Sequence, residues 1–298
     1  MTYLRSIGEV IVFLLLSIFA ILDGVIRSFI PKRYKMKSIN GEIALVTGGG
    51  GGLGRLLSLR LANLGAIVVV WDINEAGIEE TVKLVQAAGG TCYGYVCDLC
   101  DRTDIYKKAK IIREEIGKTV KAFLPTMLEN NKGHIVSVAS LAGQCGVPKL
   151  VDYCTSKFAA MGFDEALRIE LEYEGYDINT TVVCPYFIRS TGMFEDVQSR
   201  YIPTLSPNAV ADRIIMAMRC NEKYAIIPGY LQILLSLKWI FPWPCIAMFL
   251  RGLVRDASPS HENNKCAAVS EENCIPPSKD QNIHQQLARR ISSSERKP

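Results

Sequence analysis

The sequence predicts an α/β fold in which helices cover both faces of a doubly wound parallel β-sheet. Three short apolar runs of strand type alternate with helical patterns in the first hundred residues. A further run, His134–Ala139, precedes another long helical pattern. Strands that alternate with helices in this way are typical of βαβ units, whose strands run parallel. The first three runs are Ile43–Thr47, Ile67–Trp71 and Cys92–Cys97.

Composition restricts the chain to one substantial core with appendages. Its 298 residues are 49% hydrophobic and carry a net charge of +4 without a basic stripe, so a nucleic-acid partner is not expected. The ten cysteines are irregularly spaced, which favours reduced thiols over a disulfide framework. Cys97 and Cys100 form a C-x-x-C pair without a second pair, so no metal site is predicted.

The N-terminal segment, residues 1–36, has the features of an uncleaved membrane anchor. Val10–Leu22 contains no charged residue and belongs to a stretch of about 20 largely apolar residues, near the length of a membrane helix. Basic residues follow the apolar run, whereas a secretory signal carries them before it. We therefore expect a spanning or half-embedded anchor that leaves the main domain, residues 37–229, on the cytosolic side.

Two further segments follow the main domain. Residues 230–255 are apolar but contain prolines, charges and tryptophans, which favours a membrane-dipping or substrate-covering segment. An ordinary pair of core helices is the alternative. Residues 256–298 are polar and rich in Ser, Asn, Glu and Lys, so a disordered tail is expected.

The turn after the first strand predicts a dinucleotide site. The segment TGGGGGLG, residues 47–54, lies between a strand and a helix, where glycines let the backbone approach a pyrophosphate. Asp72 follows the second strand, 18 residues after Gly54, where an acid binds the ribose 2′-hydroxyl. A carboxylate there repels a 2′-phosphate, so the expected cofactor is NAD rather than NADP. Asp98, at the end of the third strand, either contacts the adenine or caps the next helix.

Ser140, Tyr153 and Lys157 form the candidate catalytic group. Ser140 follows the His134–Ala139 strand, and Tyr153 and Lys157 stand four residues apart on one face of the next helix. A lysine ammonium beside a tyrosine favours the phenolate, so we expect Lys157 to lower the pKa of Tyr153. Such a tyrosine takes the proton of an alcohol while a hydride leaves the same carbon, and Ser140 stabilises the alkoxide. A second Tyr-x-x-x-Lys match, at 106–110, has no serine at a preceding strand end.

Together these motifs resemble the short-chain dehydrogenase/reductase family, which has a Rossmann-type fold. The resemblance extends to its membrane-anchored branch of retinol and 17β-hydroxysteroid dehydrogenases through segments such as VVVWDIN, GHIVSVAS and DYCTSKFAA. It covers residues 1–255 with one gap and implies that Ser140, Tyr153 and Lys157 are catalytic. Tyr153 and Lys157 are then also cofactor contacts. The other implied cofactor-binding residues are Thr47, Gly48, Gly52, Leu53, Gly54, Asp72, Asp98, Pro185, Ile188 and, in the loop after Pro185, Ser190 or Thr191.

The segment REEIGKTVKAFLPTML, residues 113–128, departs from that family. Two helical faces meet at Gly117–Thr119, where the family has a strand, the motif NNAG and a catalytic asparagine. About one βα unit, of the order of 30–40 residues, is therefore expected to be missing, and with it the family's fourth, central strand. This loss forces the third strand to pair with the His134 strand or leaves open strand edges, and it predicts weak or no turnover.

The resemblance implies a membrane-bound, NAD-dependent oxidoreductase that interconverts a lipophilic alcohol, such as retinol, a steroid or a fatty alcohol, and its carbonyl. It places the chain at the endoplasmic reticulum membrane or a lipid droplet, and it makes a homodimer one possible assembly. Two alternatives stay open. One is a variant chain with the family's sequence but little catalysis, and the other is a non-enzymatic surface protein that keeps the fold for partner binding.

Overall fold

The described part of the chain contains six parallel β-strands with helices between them. The computed structural model describes residues 2–100, 120–189 and 202–248, except 237, 239 and 243. The strands are β1 (Ile43–Thr47), β2 (Ile67–Asp72), β3 (Cys92–Val96), β4 (Gly133–Val138), β5 (Ile178–Pro185) and β6 (Tyr224–Ile227). The helices are α1 (Thr2–Phe29), α2 (Gly52–Asn63), α3 (Glu75–Ala87), α4 (Val120–Glu129), α5 (Val151–Tyr173), α6 (Pro207–Arg219) and α7 (Leu231–Ser236).

Within the described residues, the strands form two three-stranded sheets rather than one continuous sheet. The first has the order β1-β2-β3 and the second β4-β5-β6. In the first sheet Ile43 pairs with Ile67 and Val68 with Cys92, and in the second Gly133 pairs with Ile178. The predicted parallel α/β architecture is therefore confirmed, but the single sheet is not.

The edge strands β1 and β4 are linked at their amino ends. Glu42, just before β1, forms an ion pair with Lys132, just before β4, with 2.5 Å between Oε1 and Nζ. The expectation that the third strand pairs with the His134 strand is wrong for the described residues, because β3 and β4 belong to different sheets. Among the same residues, β1 pairs with β2 and β4 pairs with β5, each on one side. The junction 117–119 and the tail 256–298 lie outside the described residues, so the missing unit and the disordered tail stay predictions.

Helices cover both faces of each sheet, as expected for strands with near-continuous apolar sequence. On the first sheet, Val68 and Val70 face α2 and α3, whereas Val69 and Trp71 face Phe123 of α4. All four of these strand side chains are fully buried. The second sheet packs against α5 and α6. Helix α4 contributes to the cores of both sheets, because its apolar side chains lie on both of them.

Helix α1 is 28 residues long and exposes large apolar side chains along its length. Over the described residues, we find no helix with the length and apolar character that crossing a membrane requires. The basic residues after α1 contact the main domain. Lys32 pairs with Glu222 at 2.9 Å, and the N–H of Lys37 donates to the carbonyl oxygen of Arg219 at 2.8 Å.

The segment that begins with α7 has one face in the core and one face exposed. Leu231 and Leu235 are buried in the cluster that also surrounds the end of β4. Ile233 and Ile240, in contrast, are 70% and 73% exposed. Lys238 holds the segment to the turn after β4, because its Nζ donates to the carbonyl oxygen of Gln144 at 3.0 Å.

Candidate active site

Glycines build the turn between β1 and α2 at positions where a side chain does not fit. Gly48 has φ +67° and Gly52 has φ +50°, both in the left-handed region. A Cβ on Gly54 would lie 2.1 Å from the carbonyl oxygen of Gly48. Only glycine therefore lets α2 approach the turn this closely, as in a loop that receives a pyrophosphate.

Helix α2 begins without a capping side chain. Its N-cap residue is Gly51, and no side chain caps it within the described residues. The N–H groups of the first helical turn lack intrahelical acceptors and form the positive end of the helix dipole. Thr47 ends β1 beside this turn, and Leu53 lies in the first turn of α2. These residues therefore fit a dinucleotide pyrophosphate, which needs N–H donors rather than side-chain charge.

Asp72 supports the glycine turn from the end of β2. Its Oδ2 accepts a hydrogen bond from the N–H of Gly50 at 2.9 Å, and its Oδ1 accepts one from the N–H of Asn74 at 3.0 Å. The carboxylate is thereby fixed beside the turn, where an acid for the ribose hydroxyls is expected.

Asp98 is exposed after β3. Its Oδ1 accepts a hydrogen bond from the N–H of Cys100 at 2.8 Å. This is a local turn contact of the kind that precedes a helix, in line with the capping interpretation. A contact between Asp98 and an adenine stays a prediction.

Ser140, Tyr153 and Lys157 converge at the carboxyl end of β4. Ser140 is extended, and its Oγ accepts a hydrogen bond from the N–H two residues on, which caps the 3₁₀ turn Leu141–Gly143. Tyr153 lies in the first turn of α5, and its hydroxyl is hydrogen-bonded with Ser140. Lys157 Nζ lies 5.5 Å from the centroid of the Tyr153 ring and donates to the carbonyl oxygen of Val138 at 3.4 Å. The structure thus brings the three predicted residues together.

Burial dominates the acid–base state of this group. It raises the pKa of Tyr153 above 10.0 and outweighs the hydrogen bond with Ser140, which acts in the opposite direction. Burial also lowers the pKa of Lys157 below 10.5. The expected lowering of the Tyr153 pKa is wrong, because burial raises it; the Lys157 ammonium lies beside the ring and donates to Val138. Tyr153 is therefore protonated at neutral pH, ready to donate to a carbonyl oxygen.

The segment after β5 approaches the start of α2. Pro185 is buried at the end of β5, and Ile188 forms a parallel bridge with Leu205. Ile188 and Leu53 of α2 pack against the same apolar cluster. The predicted cofactor-binding residue Ile188 therefore packs against the same cluster as the first turn of α2, whereas Ser190 and Thr191 lie outside the described residues.

Two residues beside the catalytic group were missed by the sequence analysis. A Cβ on Gly143 would lie 2.6 Å from Met161 Sδ and 2.7 Å from the carbonyl oxygen of Lys157, so a glycine there lets the turn pack on α5. Its place three residues after Ser140 was the available signal. Cys184 is fully buried in β5, and burial raises the pKa of its thiol to about 11. The only sequence signal that pointed to Cys184 was its position directly before Pro185.

The cysteine pair does not form part of this site. Cys97 is buried and Cys100 is exposed, and neither is in a disulfide within the described ranges. In the same ranges no group of three or more His, Cys, Asp or Glu side chains is arranged to hold a metal ion.

Comparison with known sequences identifies the family. The profile described as short chain dehydrogenase matches residues 42–119 and 117–201. The chain belongs to the short-chain dehydrogenase family. Short-chain dehydrogenase/reductase family 16C member 6 of Bos taurus is 39% identical over 261 residues, which cover 74% of this chain and 82% of that protein. Epidermal retinol dehydrogenase 2 of Homo sapiens is 36% identical over 281 residues, covering 80% and 90%. Estradiol 17-beta-dehydrogenase 11 of Homo sapiens is 36% identical over 288 residues, covering 84% and 95%.

Solved structures share the fold of this short-chain dehydrogenase. A short chain dehydrogenase/reductase from Burkholderia phymatum in complex with NAD superposes with a TM-score of 0.60 at 22% identity, covering 68% of this chain and 94% of that one. A metagenomic short-chain oxidoreductase in complex with NADP gives a TM-score of 0.53 at 20% identity, covering 64% and 98%. The chain is accordingly an oxidoreductase that interconverts alcohols and carbonyls with a nicotinamide cofactor.

Proposed function

We propose that this short-chain dehydrogenase is membrane-associated, uses NAD and interconverts a lipophilic alcohol and its carbonyl. The observation that carries the proposal is the convergence of Ser140, Tyr153 and Lys157 at the carboxyl end of β4. The glycine turn lies at the carboxyl end of β1. In open parallel sheets, ligands bind in the crevice at the carboxyl ends of the strands.

Ser140 and Tyr153 are the residues that act on the substrate oxygen. The nicotinamide, when bound, supplies or accepts the hydride. In the reductive direction the Tyr153 hydroxyl donates its proton to the carbonyl oxygen, and in the oxidative direction the phenolate takes that proton back. Ser140 donates a hydrogen bond to the same oxygen and stabilises its negative charge. Lys157 keeps a positive charge beside the ring, which favours the phenolate that forms during reduction.

Asp72 supports NAD over NADP as the cofactor. Its carboxylate is held 2.9 Å from the N–H of Gly50 and thus stays beside the turn. A ribose with free hydroxyls can donate hydrogen bonds to this carboxylate, whereas a 2′-phosphate would meet its negative charge.

Apolar side chains around the catalytic group support a lipophilic substrate. The buried cluster beside Tyr153 includes Val147, Leu150, Tyr186 and Leu231. Two relatives are named for activity on retinol and on estradiol. An alcohol of this size and polarity, or a fatty alcohol, is therefore the substrate class that we propose.

Helix α1 supports attachment to a lipid surface. Phe13, Leu16 and Phe19 are each more than 60% exposed, and basic residues follow the helix. We propose that α1 is half-embedded in the endoplasmic reticulum membrane or a lipid droplet, with the catalytic domain on the cytosolic side.

Helix α5 exposes Phe163 and Ile169, which offers a surface for a second copy of the chain.

Turnover by the purified chain in phospholipid vesicles tests the proposal. With NAD and retinol or estradiol, we expect NADH formation that Tyr153→Phe reduces by about 10²–10⁴-fold, because the proton acceptor is lost. Tyr173→Phe is the matched control, since Tyr173 is on the same helix and is 87% exposed. Turnover that survives in Tyr153→Phe would refute the assigned role. Failure of the wild-type chain to bind any dinucleotide would favour a non-enzymatic surface protein.

A catalytically impaired form of the same enzyme is the second candidate. The family profile matches in two segments that meet at residues 117–119, where the sequence predicts a missing unit. The alignment with human epidermal retinol dehydrogenase 2 spans 281 positions but includes 80% of this chain. Roughly 40 positions of that relative therefore lack a counterpart here, which is about one βα unit.

Restoring the unit distinguishes the two candidates. The relative's unmatched segment is inserted at residues 117–119, and kcat is compared with that of the original chain. A rise of about 10²-fold or more would identify the original chain as impaired, since the insert returns a central strand and its neighbouring side chains. Equal turnover in both chains would remove the second candidate. Sequencing of the transcript and the gene then shows whether an exon for the segment exists.

A further inference from the structure

The carbonyl groups of the glycine turn face α3. Thr81 Oγ1 lies 2.9 Å from the carbonyl oxygen of Gly49 and 3.0 Å from that of Gly77, and its one proton is donated to either acceptor. Arg55 Nη2 donates to the carbonyl oxygen of Gly50 at 2.7 Å. The Thr81 side chain is fully buried. The Gly50 carbonyl therefore has a donor in Arg55, and the Gly49 carbonyl shares the Thr81 proton with the carbonyl of Gly77.

Arg55 and Thr81 are also bonded to each other. Arg55 Nε donates to Thr81 Oγ1 at 3.0 Å, and Arg55 Nη2 lies 2.7 Å from Glu80 Oε2. Helix α3 thus holds the guanidinium on one side while the turn holds it on the other. Two of its nitrogens are engaged by protein acceptors, which fixes its orientation.

Gly77 allows this contact between α3 and the turn. A Cβ on Gly77 would lie 2.3 Å from the carbonyl oxygen of Gly50. A side chain at residue 77 would therefore push the Gly50 carbonyl away from the Arg55 donor. The start of α3 is shaped to receive the turn, as well as bonded to it.

The peptide geometry connects these carbonyl groups to the ligand side. In a trans peptide the C=O and the N–H of the next residue point in opposite directions. With the Gly50 carbonyl held towards α3, the N–H of Gly51 points away from α3. With the Gly49 carbonyl held by Thr81, the N–H of Gly50 points to Asp72, which accepts it. The two donors thus set the direction of the N–H groups at the start of α2.

We propose that Thr81 and Arg55 are positioning residues for the dinucleotide. Thr81 fixes the Gly49 carbonyl, which directs the Gly50 N–H to Asp72, and Arg55 fixes the Gly50 carbonyl, which leaves the Gly51 N–H for the pyrophosphate. The inference rests on the dinucleotide site of the proposed function and adds two residues that no glycine pattern includes.

Four variants of the full chain test the inference. Thr81→Val removes the hydroxyl at nearly constant shape, and Thr81→Ser restores it. Arg55→Met removes the guanidinium. Arg60→Met is the matched control, because Arg60 is on the same helix but bonds to Asp212 at 2.6 Å and to Asn208 on α6. The Kd for NADH is measured by fluorescence titration, and thermal unfolding is measured without cofactor.

Thr81→Val and Arg55→Met are expected to raise the Kd for NADH by about tenfold or more, since a buried carbonyl loses its donor and the turn reorients. Thr81→Ser is expected to have a Kd for NADH within about threefold of the wild-type value, and Arg60→Met is expected to have the wild-type Kd. If Thr81→Val and Arg55→Met both keep the wild-type Kd for NADH, the inference is overturned while the proposed function stands. Equal weakening in Thr81→Val and Thr81→Ser also overturns it, because the hydroxyl is then irrelevant. If wild type binds neither NADH nor NADPH, the proposed function fails and the inference fails with it.

Discussion

Replacing Gly54 with alanine tests whether the glycine turn is the cofactor site. The new Cβ would lie 2.1 Å from the carbonyl oxygen of Gly48, 2.8 Å from its carbonyl carbon and 2.9 Å from Cα of Gly49. All three atoms belong to the backbone, so no side-chain rotation relieves the contact. Because Cβ contacts below 3.0 Å essentially do not occur, α2 and the turn must separate by about 0.9 Å or more.

This displacement has separate consequences for stability and for binding. Overpacking of this kind costs on the order of 1–3 kcal/mol in the free energy of unfolding. For a domain of this size, each kcal/mol lowers Tm by about 2–4 °C. The same displacement moves the N–H groups of the turn, and each lost hydrogen bond to a charged group weakens binding by roughly 1.5–3 kcal/mol, or about 10- to 100-fold. We therefore expect Gly54→Ala to remain folded at 25 °C but to bind NADH about 10- to 100-fold more weakly.

NADH titration and thermal unfolding of the same preparation measure both effects. Gly229→Ala is the control, because Gly229 is exposed after β6, its φ lies outside the left-handed region, and a Cβ there meets no atom within 4 Å. It is expected to unfold within about 2 °C of wild type and to change the Kd for NADH by less than about threefold. If Gly54→Ala loses stability as expected but binds NADH as tightly as wild type, the glycine turn does not hold the pyrophosphate.

Three further changes are expected to separate cofactor choice, chemistry and stability. Asp72→Asn is expected to raise the affinity for NADPH relative to NADH by about tenfold, as read from the two Kd values, because the carboxylate that repels a 2′-phosphate is removed. Lys157→Met is expected to lower the rate constant of the chemical step by about 10²-fold or more in single-turnover assays, because the positive charge beside the Tyr153 ring is lost. For Glu222, burial raises the pKa, but the hydrogen bonds from Arg213 and Lys32 outweigh burial and leave the pKa below 4.5. Its stabilisation is therefore present above pH 4.5 and is lost as pH falls, so urea unfolding of Glu222→Gln is expected to show a deficit on the order of 1 kcal/mol at pH 7 that disappears in acid.

Local sequence predicted the first strands well, and it predicted that the three candidate catalytic residues lie together. The run IALVT coincides with β1, and the predicted strand Ile67–Trp71 matches β2 except that β2 continues by one residue, to Asp72. These runs are short, apolar and bounded by turn residues, which favours a strand over a helix. Ser140, Tyr153 and Lys157 were also predictable, because a strand end and one helical turn bring them together without any long-range information.

Contacts between distant segments could not be predicted in this way. Nothing in the sequence around Thr81 indicates that its hydroxyl lies beside Gly49, 32 residues earlier. The direction of the Tyr153 pKa was mispredicted for a similar reason. Spacing places Lys157 on the same helical face, but it does not reveal that Tyr153 is buried enough to raise its pKa or that the ammonium donates to the Val138 carbonyl.

The division into two sheets matters for catalysis because the site draws on both of them. The glycine turn and Asp72 belong to the first sheet, whereas the catalytic group belongs to the second. Hydride transfer needs the reacting atoms held within about 3–3.5 Å, so the two halves must keep a fixed relation.

Three connections join the two sheets. Helix α2 packs against α6 and the second sheet through Leu53 and Leu57, and α4 packs against both sheets. The Glu42–Lys132 pair links the amino ends of β1 and β4. Among the described residues, these connections between the sheets consist of side-chain packing and an ion pair rather than a backbone ladder, and such packing resists displacement less than a shared hydrogen-bonded strand does. The expected pyrophosphate and ribose contacts come from the first sheet and tolerate this substitution, whereas the expected nicotinamide contacts and turnover depend on the alignment of both sheets. The division into two sheets is therefore expected to weaken turnover more than it weakens cofactor binding.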